Sequence, residues 1–141
     1  MQNIKVYVKR QVKGRFKKEI LQAETVDGYG SNAARIATIP LTCEYGLGDI
    51  VRYDPEQGNV VVDILQKGSR TYGCLYEARH GDPVIDRGNR AGIKMYFERF
   101  GINIEFATKR LFSLAVPLNM GEARVINIVY KCPIDITVYV S

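Results

Sequence analysis

The sequence predicts an α+β fold in which a small N-terminal β-barrel-like sheet packs with a C-terminal ferredoxin-like βαββαβ unit. Three observations carry this reading. Up to residue 66 the apolar pattern has strand periodicity broken by turn residues and no helical stretch, which points to a small barrel or strongly curled sheet. From Arg70 the order becomes strand, helix, strand, strand, helix, strand, the split βαβ arrangement. Only Lys67, Gly68 and Ser69 stand between the halves, so residues 1–69 and 70–141 form two subdomains of one packed body.

The first strand is read from Ile4 to Lys9, where Ile4, Val6 and Val8 alternate with Lys5, Tyr7 and Lys9. Polar residues around Lys13, Gly14 and Arg15 turn the chain into a second strand from Glu19 to Val26. A turn-rich loop, Asp27 to Asn32, leads to a third strand over Arg35–Ile39 that Pro40 ends, because proline cannot donate to a ladder. The stretch YGLGDIVRY, Tyr45 to Tyr53, reads as a tight turn that delivers a fourth strand. Residues 55–59 make a hairpin connection to a fifth strand, Val60 to Gln66.

In the second half Arg70–Glu77 is a strand and Gly81-Asp82-Pro83 breaks it. Ile93, Tyr96, Phe97 and Phe100 fall at helical spacing, Asp86 is placed to cap the helix, and Gly101 ends it. Ile102, Ile104 and Phe106 alternate, and LFSLAVPL supplies the partner strand of a hairpin. Asn119 and Glu122 resemble a capping box for a second helix with Ala123, Ile126, Val129 and Tyr130 as its apolar stripe. Pro133 stops that helix, and Ile134–Val140 alternates as a final strand.

At 141 residues, 46% hydrophobic and 25% charged, the chain has ordinary globular composition. No apolar run approaches the roughly 20 residues a membrane helix needs, and the opening MQNIKVYVKR lacks the apolar core of a signal peptide. A soluble cytoplasmic protein without a membrane partner is the expectation. Cys43, Cys74 and Cys132 are odd in number and widely spaced, which argues against a disulfide framework or a zinc site and for small buried hydrophobes. A thiol catalyst would need a base such as the single histidine, His80.

The net charge of +5 is unevenly placed. Residues 1–18 hold seven cations and no acid, so the remainder carries a net charge of −2. Such a block is either a footprint for a polyanion or a solvated edge that lysines protect from aggregation. With only Tyr7 and Phe16 interleaved, base stacking has little aromatic surface and the second reading is favoured.

Several short matches lie between residues 19 and 140: Glu24-Thr25, Ile39-Pro40-Leu41, YGLGDIV from Tyr45 to Val51, Gly68-Ser69 followed by Thr71, and Val116-Pro117. On these the chain resembles the bacterial family known as domain of unknown function 4265. The resemblance implies the architecture above and no mechanism. The basic hairpin is poorly matched, and Thr25 and Val26 stand where the family usually has an aromatic residue.

The Gly46-Leu47-Gly48-Asp49 turn runs into a strand rather than a helix and has no Lys-Ser/Thr pair, so it reads as a structural turn and not a phosphate loop. Arg79, His80, Arg87 and Arg90 cluster near the start of the first helix, where the helix dipole favours anions. They are candidates for binding a partner's acid or another anion, against the alternative that Asp82, Asp86 or another acid of the chain pairs with them. Carboxylate pairs, metal-ligand spacing and a nucleophile elbow are all missing, so neither catalysis, a metal nor a cofactor is expected. Nine tyrosines, with Tyr7, Tyr29, Tyr45, Tyr53, Tyr72 and Tyr139 in or beside strands, suit either a binding surface or covered sheet edges.

The functional expectation is a non-catalytic bacterial protein-binding module, an immunity or antitoxin protein that neutralises a toxin partner. The alternative is a nucleic-acid-binding module that uses Lys13, Arg15, Lys17 and Lys18 of the basic hairpin. A third class, an anion-binding domain at Arg79, Arg87 and Arg90, would be stabilised by phosphate or a carboxylated ligand.

Overall fold

The computed structural model describes residues 1–141 except Lys13, His80 and Ser141, and the side chains of Gln11, Val12, Phe16 and Val140 are also outside the description. Five strands close into a barrel: β1 (Asn3–Val12), β2 (Arg15–Thr25), β3 (Ala33–Ile36), β4 (Ile50–Asp54) and β5 (Val60–Gln66). Neighbours pair antiparallel, and β1 closes the ring by a parallel contact with β5 at Tyr7 and Val60. The expected alternation of the first strand holds: Val6 and Val8 are buried with Leu21, Ala23, Ala34, Ile36, Val51 and Val61 in the barrel core. Between β4 and β5 a single turn over Pro55–Gln57 is capped by Asp54, and Gly58 follows it at φ 72°.

A four-stranded antiparallel sheet follows, built from β6 (Ser69–Tyr76), β7 (Asn103–Phe106), β8 (Leu111–Pro117) and β9 (Ile136–Val140) in the spatial order β7-β8-β6-β9. Two helices, α1 (Pro83–Glu98) and α2 (Glu122–Tyr130), supply the rest of its core. Tyr72, Cys74, Phe112 and Leu114 from the sheet meet Ile93 and Phe97 of α1 and Val125 and Ile128 of α2 in one apolar cluster.

The loop between β3 and β4 joins the two cores. Both carboxylate oxygens of Glu19, on β2, accept from it, taking the Leu41 N–H at 2.7 Å and the Thr42 N–H at 3.0 Å. On the other side Thr71 and Ser69 of β6 donate to the carbonyls of Tyr45 and Leu47, each at 2.7 Å, and Ile39 N–H donates to Glu105 of β7. These bonds explain why β3 stops at Ile36 instead of running to Ile39: the N–H groups of Ile39, Leu41 and Thr42 are engaged by side chains of both sheets, not by a ladder.

Other boundaries also differ from the sequence reading: β3 begins at Ala33 rather than Arg35, and β9 at Ile136 rather than Ile134. The first hairpin is longer and tighter than expected, with Val12 registered against Arg15 and Gly14 at φ 77°. Helix α1 begins at Pro83, with Asp82 rather than Asp86 as its cap, because Asp82 accepts from the N–H groups of Val84 and Ile85 while proline suits the first helical position. Its end is as read: Gly101 at φ 75° donates to Glu98 and Ile102 to Phe97, the paired bonds of a Schellman turn. Helix α2 starts at Glu122 after Gly121, so the Asn119 capping box does not form, and its apolar face is rotated: Val125 and Ile128 are buried, while Ala123, Ile126 and Tyr130 are exposed.

Candidate partner-binding surfaces

The Gly46–Asp49 turn is a structural joint. Asp49 is fully buried and accepts three bonds, from Gly46 N–H at 2.8 Å, Gly68 N–H at 2.7 Å and Lys67 Nζ at 2.6 Å. The N–H groups that an anion might have used are therefore spent on the chain's own carboxylate. Backbones touch here: a Cβ on Gly68 would lie 2.2 Å from the Gly48 carbonyl carbon, and one on Gly46 would lie 2.3 Å from the Ser69 carbonyl oxygen. The turn thus locks the start of β4 to the two residues that link the barrel to β6.

At the arginine cluster the chain supplies an acid to Arg79. Arg79 Nε lies 2.7 Å from Asp135 Oδ2, and Arg110 pairs with Glu77 at 3.6 Å. Asp86 is engaged with the buried Tyr76, whose hydroxyl donates to Oδ1 at 2.7 Å and accepts from Asn89 at 2.9 Å. Burial holds the Tyr76 phenol above its ordinary pKa, against the lowering effect of Asn89. Arg87 is exposed and Arg90 half-buried; with the helix starting at Pro83, neither sits in its first turn, which holds Asp86. Neither arginine therefore stands where the helix dipole disfavours a cation. His80 lies outside the described residues.

The basic hairpin becomes a two-stranded ribbon. Arg15, Lys17 and Lys18 are exposed on β2, and Lys13 lies outside the described residues. Lys9 stands directly opposite Lys18, and Arg10 opposite Lys17. Lys18 Nζ sits 4.5 Å from the centre of the Tyr7 ring, and the Tyr7 hydroxyl donates to the Gln57 carbonyl. Of the tyrosines expected in strands, Tyr72 is instead a core residue, Tyr7, Tyr29, Tyr45 and Tyr53 are half-buried, and Tyr139 is exposed.

A surface that sequence reading missed lies between α2 and β9. A groove of about 530 Å³ is lined by Val125, Ile126 and Val129 of α2, Ile136 and Val138 of β9, and Tyr72 of β6. Ile126 is 57% and Tyr130 87% exposed at its rim, where sequence periodicity had placed core. The available signal was an excess: α2 carries apolar residues on more than one side, since Val125, Ile126, Ile128, Val129 and Tyr130 cannot share a single stripe. The groove adjoins the outer edge of β9, which ends the sheet order. Glu77 N–H donates to Asp135 carbonyl, so in the alternation of an antiparallel ladder the backbone groups of Ile136 and Val138 point away from β6.

Among the described residues no group of three His, Cys, Asp or Glu side chains is set to hold a metal ion, and no helix is long and apolar enough to cross a membrane. Neither a family model nor a curated protein matches the chain. A solved structure of a hypothetical protein from Neisseria gonorrhoeae is similar, with a TM-score of 0.69 and 15% identity over 99% of this chain and 94% of that one. At that identity the likeness is one of fold, across nearly the whole of both chains.

Proposed function

We propose that the second unit is a ferredoxin-like split βαβ layer and that the chain is a non-catalytic protein-binding module of the immunity or antitoxin type. The observation that carries the reading is the juxtaposition on one side of this layer: a free strand edge beside an apolar groove with Ile126 and Tyr130 exposed at its rim. An extended segment of a partner protein adds a strand to β9, its backbone bonding to Ile136 and Val138. Its alternate side chains fill the groove under α2. Tyrosine at such a rim supplies contact area at little conformational cost. A toxin held in this way has its active site covered by the bulk of the domain.

The test is co-expression with the product of the gene immediately upstream, followed by binding of the two purified proteins. A stoichiometric complex and suppressed toxicity are expected, both lost in Ile126→Glu and in Val138→Pro. The proline removes an outward N–H at a position an edge strand tolerates; because Val138 also packs on the core, its melting temperature is measured beside the parent's so that loss of the complex is read on a folded protein. A complex that survives both substitutions, or no complex at all, overturns the reading.

A further inference from the structure

We propose that the ribbon formed by the distal halves of β1 and β2 is a second, independent site that grips double-stranded DNA through its phosphates. Beyond Tyr7, β1 has no further register with β5, and β2 pairs with β3 only at Ala23, Glu24 and Thr25. Among the described residues from Lys9 to Lys18 the two strands therefore pair only with each other. Two like-charge pairs, Lys9 with Lys18 and Arg10 with Lys17, stand in successive directly opposed positions. Like charges so placed repel across the ribbon, where an acid in either strand would have stabilised it. Edge protection needs a lysine on a strand, not cations opposed on both. The nearest acid in the register, Glu19, is committed to Leu41 and Thr42, and no ion pair among the described residues includes a ribbon cation.

The arrangement distinguishes among polyanions. Strand alternation puts Lys5, Lys9 and Lys18 on one face and Lys17 and Arg15 on the other, all exposed. Cations on both faces suit a groove with phosphates on either side, and a two-stranded ribbon fits the B-DNA major groove. A flat anionic membrane would engage one face. Single strands are held by stacking on free aromatic faces, yet Tyr7 lies under Lys18 and is tethered through its hydroxyl. Among the described side chains the ribbon thus offers charge to phosphate and little to bases, so the binding is independent of sequence.

Fluorescence anisotropy with a duplex of about 20 base pairs, the matching single strand, and a salt series from about 50 to 200 mM tests this. Duplex binding should weaken steeply with salt, and the log–log slope should shrink by about 2 to 3 in the triple variant Lys9→Gln, Arg15→Gln, Lys17→Gln. Lys17→Gln alone should shrink it by about 1, which keeps the test alive if the triple variant fails to fold. Lys109→Gln with Lys131→Gln, outside the ribbon, should leave the slope unchanged. Absence of duplex binding at the lowest salt, or a slope the ribbon variants do not move, overturns the proposal. So does single-strand binding as tight as duplex binding, and so does binding to phosphatidylserine vesicles without duplex binding.

Discussion

Charge is concentrated in two regions of this molecule and is treated oppositely in each. At the joint between barrel and second sheet one carboxylate, Asp49, is fully buried and surrounded by three donors from its own chain. Along the ribbon, cations face cations across the strands, and Lys9, Arg15, Lys17 and Lys18 stand exposed. Burying a charge is tolerable only when its bonds are made, so the joint has no capacity left for a ligand. Exposed repulsion costs little in water and leaves a field for an outside partner. A charge's partners, more than its presence in the sequence, decide which role it takes.

The contrast is broken most severely at the glycines that let the joint close. Gly68→Ala places a methyl carbon 2.2 Å from the Gly48 carbonyl carbon, and neither backbone has a flexible end that can give way. The expected loss is more than about 4 kcal/mol in chemical denaturation, at the large end for a single substitution. Gly28→Ala is the control: it has open space around it and φ 89°, so only the left-handed backbone penalty of about 1–2 kcal/mol applies.

Next in size is the carboxylate. Asp49→Asn keeps one acceptor oxygen but turns the other position into a donor that faces donors, so a loss of about 2–4 kcal/mol is expected by urea titration. Lys67→Met should cost less than Asp49→Asn, because the Lys67 side chain is 39% exposed, so water can reach the vacated place, and both backbone bonds to Asp49 survive. If Lys67→Met proves the costlier change, the joint depends on the ion pair and not on the backbone donors.

Much of this was legible in the residues. The alternation of Ile4, Val6 and Val8, the run from Val60 to Gln66 and the short Lys67-Gly68 link were all visible, because strand periodicity and turn residues act locally. The phase of α2 was not. Two overlapping apolar sets fit its nine residues, and only packing on β6 and β9 selects Val125 and Ile128. For the arginine cluster, the missing fact was tertiary: Asp135 lies more than fifty residues from Arg79 in sequence and 2.7 Å from it in space. The ribbon's seven cations were countable from the start, but the register that sets Lys9 against Lys18 follows from the tight turn at Gly14.

Alkaline pH sharpens the distinction between inward and outward groups. Burial, aided by the neighbouring Cys43 and Cys132, pushes the Cys74 thiol up from 9.0 to about 12. Its folded pKa exceeds its unfolded one, so its contribution is intact below pH 9. Above pH 9 the unfolded chain releases the proton first, and stability falls by about 1.4 kcal/mol per pH unit until about pH 12. Tyr76 and Tyr96, also raised by burial, act in the same direction. The measurement is the difference in slope between parent and Cys74→Ala from pH 8 to about pH 10.5. Parallel curves would show that the thiol does not carry the effect.

The smallest expected change has the opposite sign. Lys9→Glu converts the opposed pair with Lys18 into an attractive one while leaving Lys18 over the Tyr7 ring. Lys17→Glu does the same against Arg10. Each should raise stability by about 0.2–1 kcal/mol at low salt, and the gain should fade as salt screens the ribbon. A substitution that strengthens the fold while weakening duplex binding separates the two roles of charge directly. Native lysine at these positions is then a cost to the folded chain that binding offsets. A loss of stability on either substitution would mean that the ribbon's cations already have anionic partners within the chain, and the field ascribed to them would not exist.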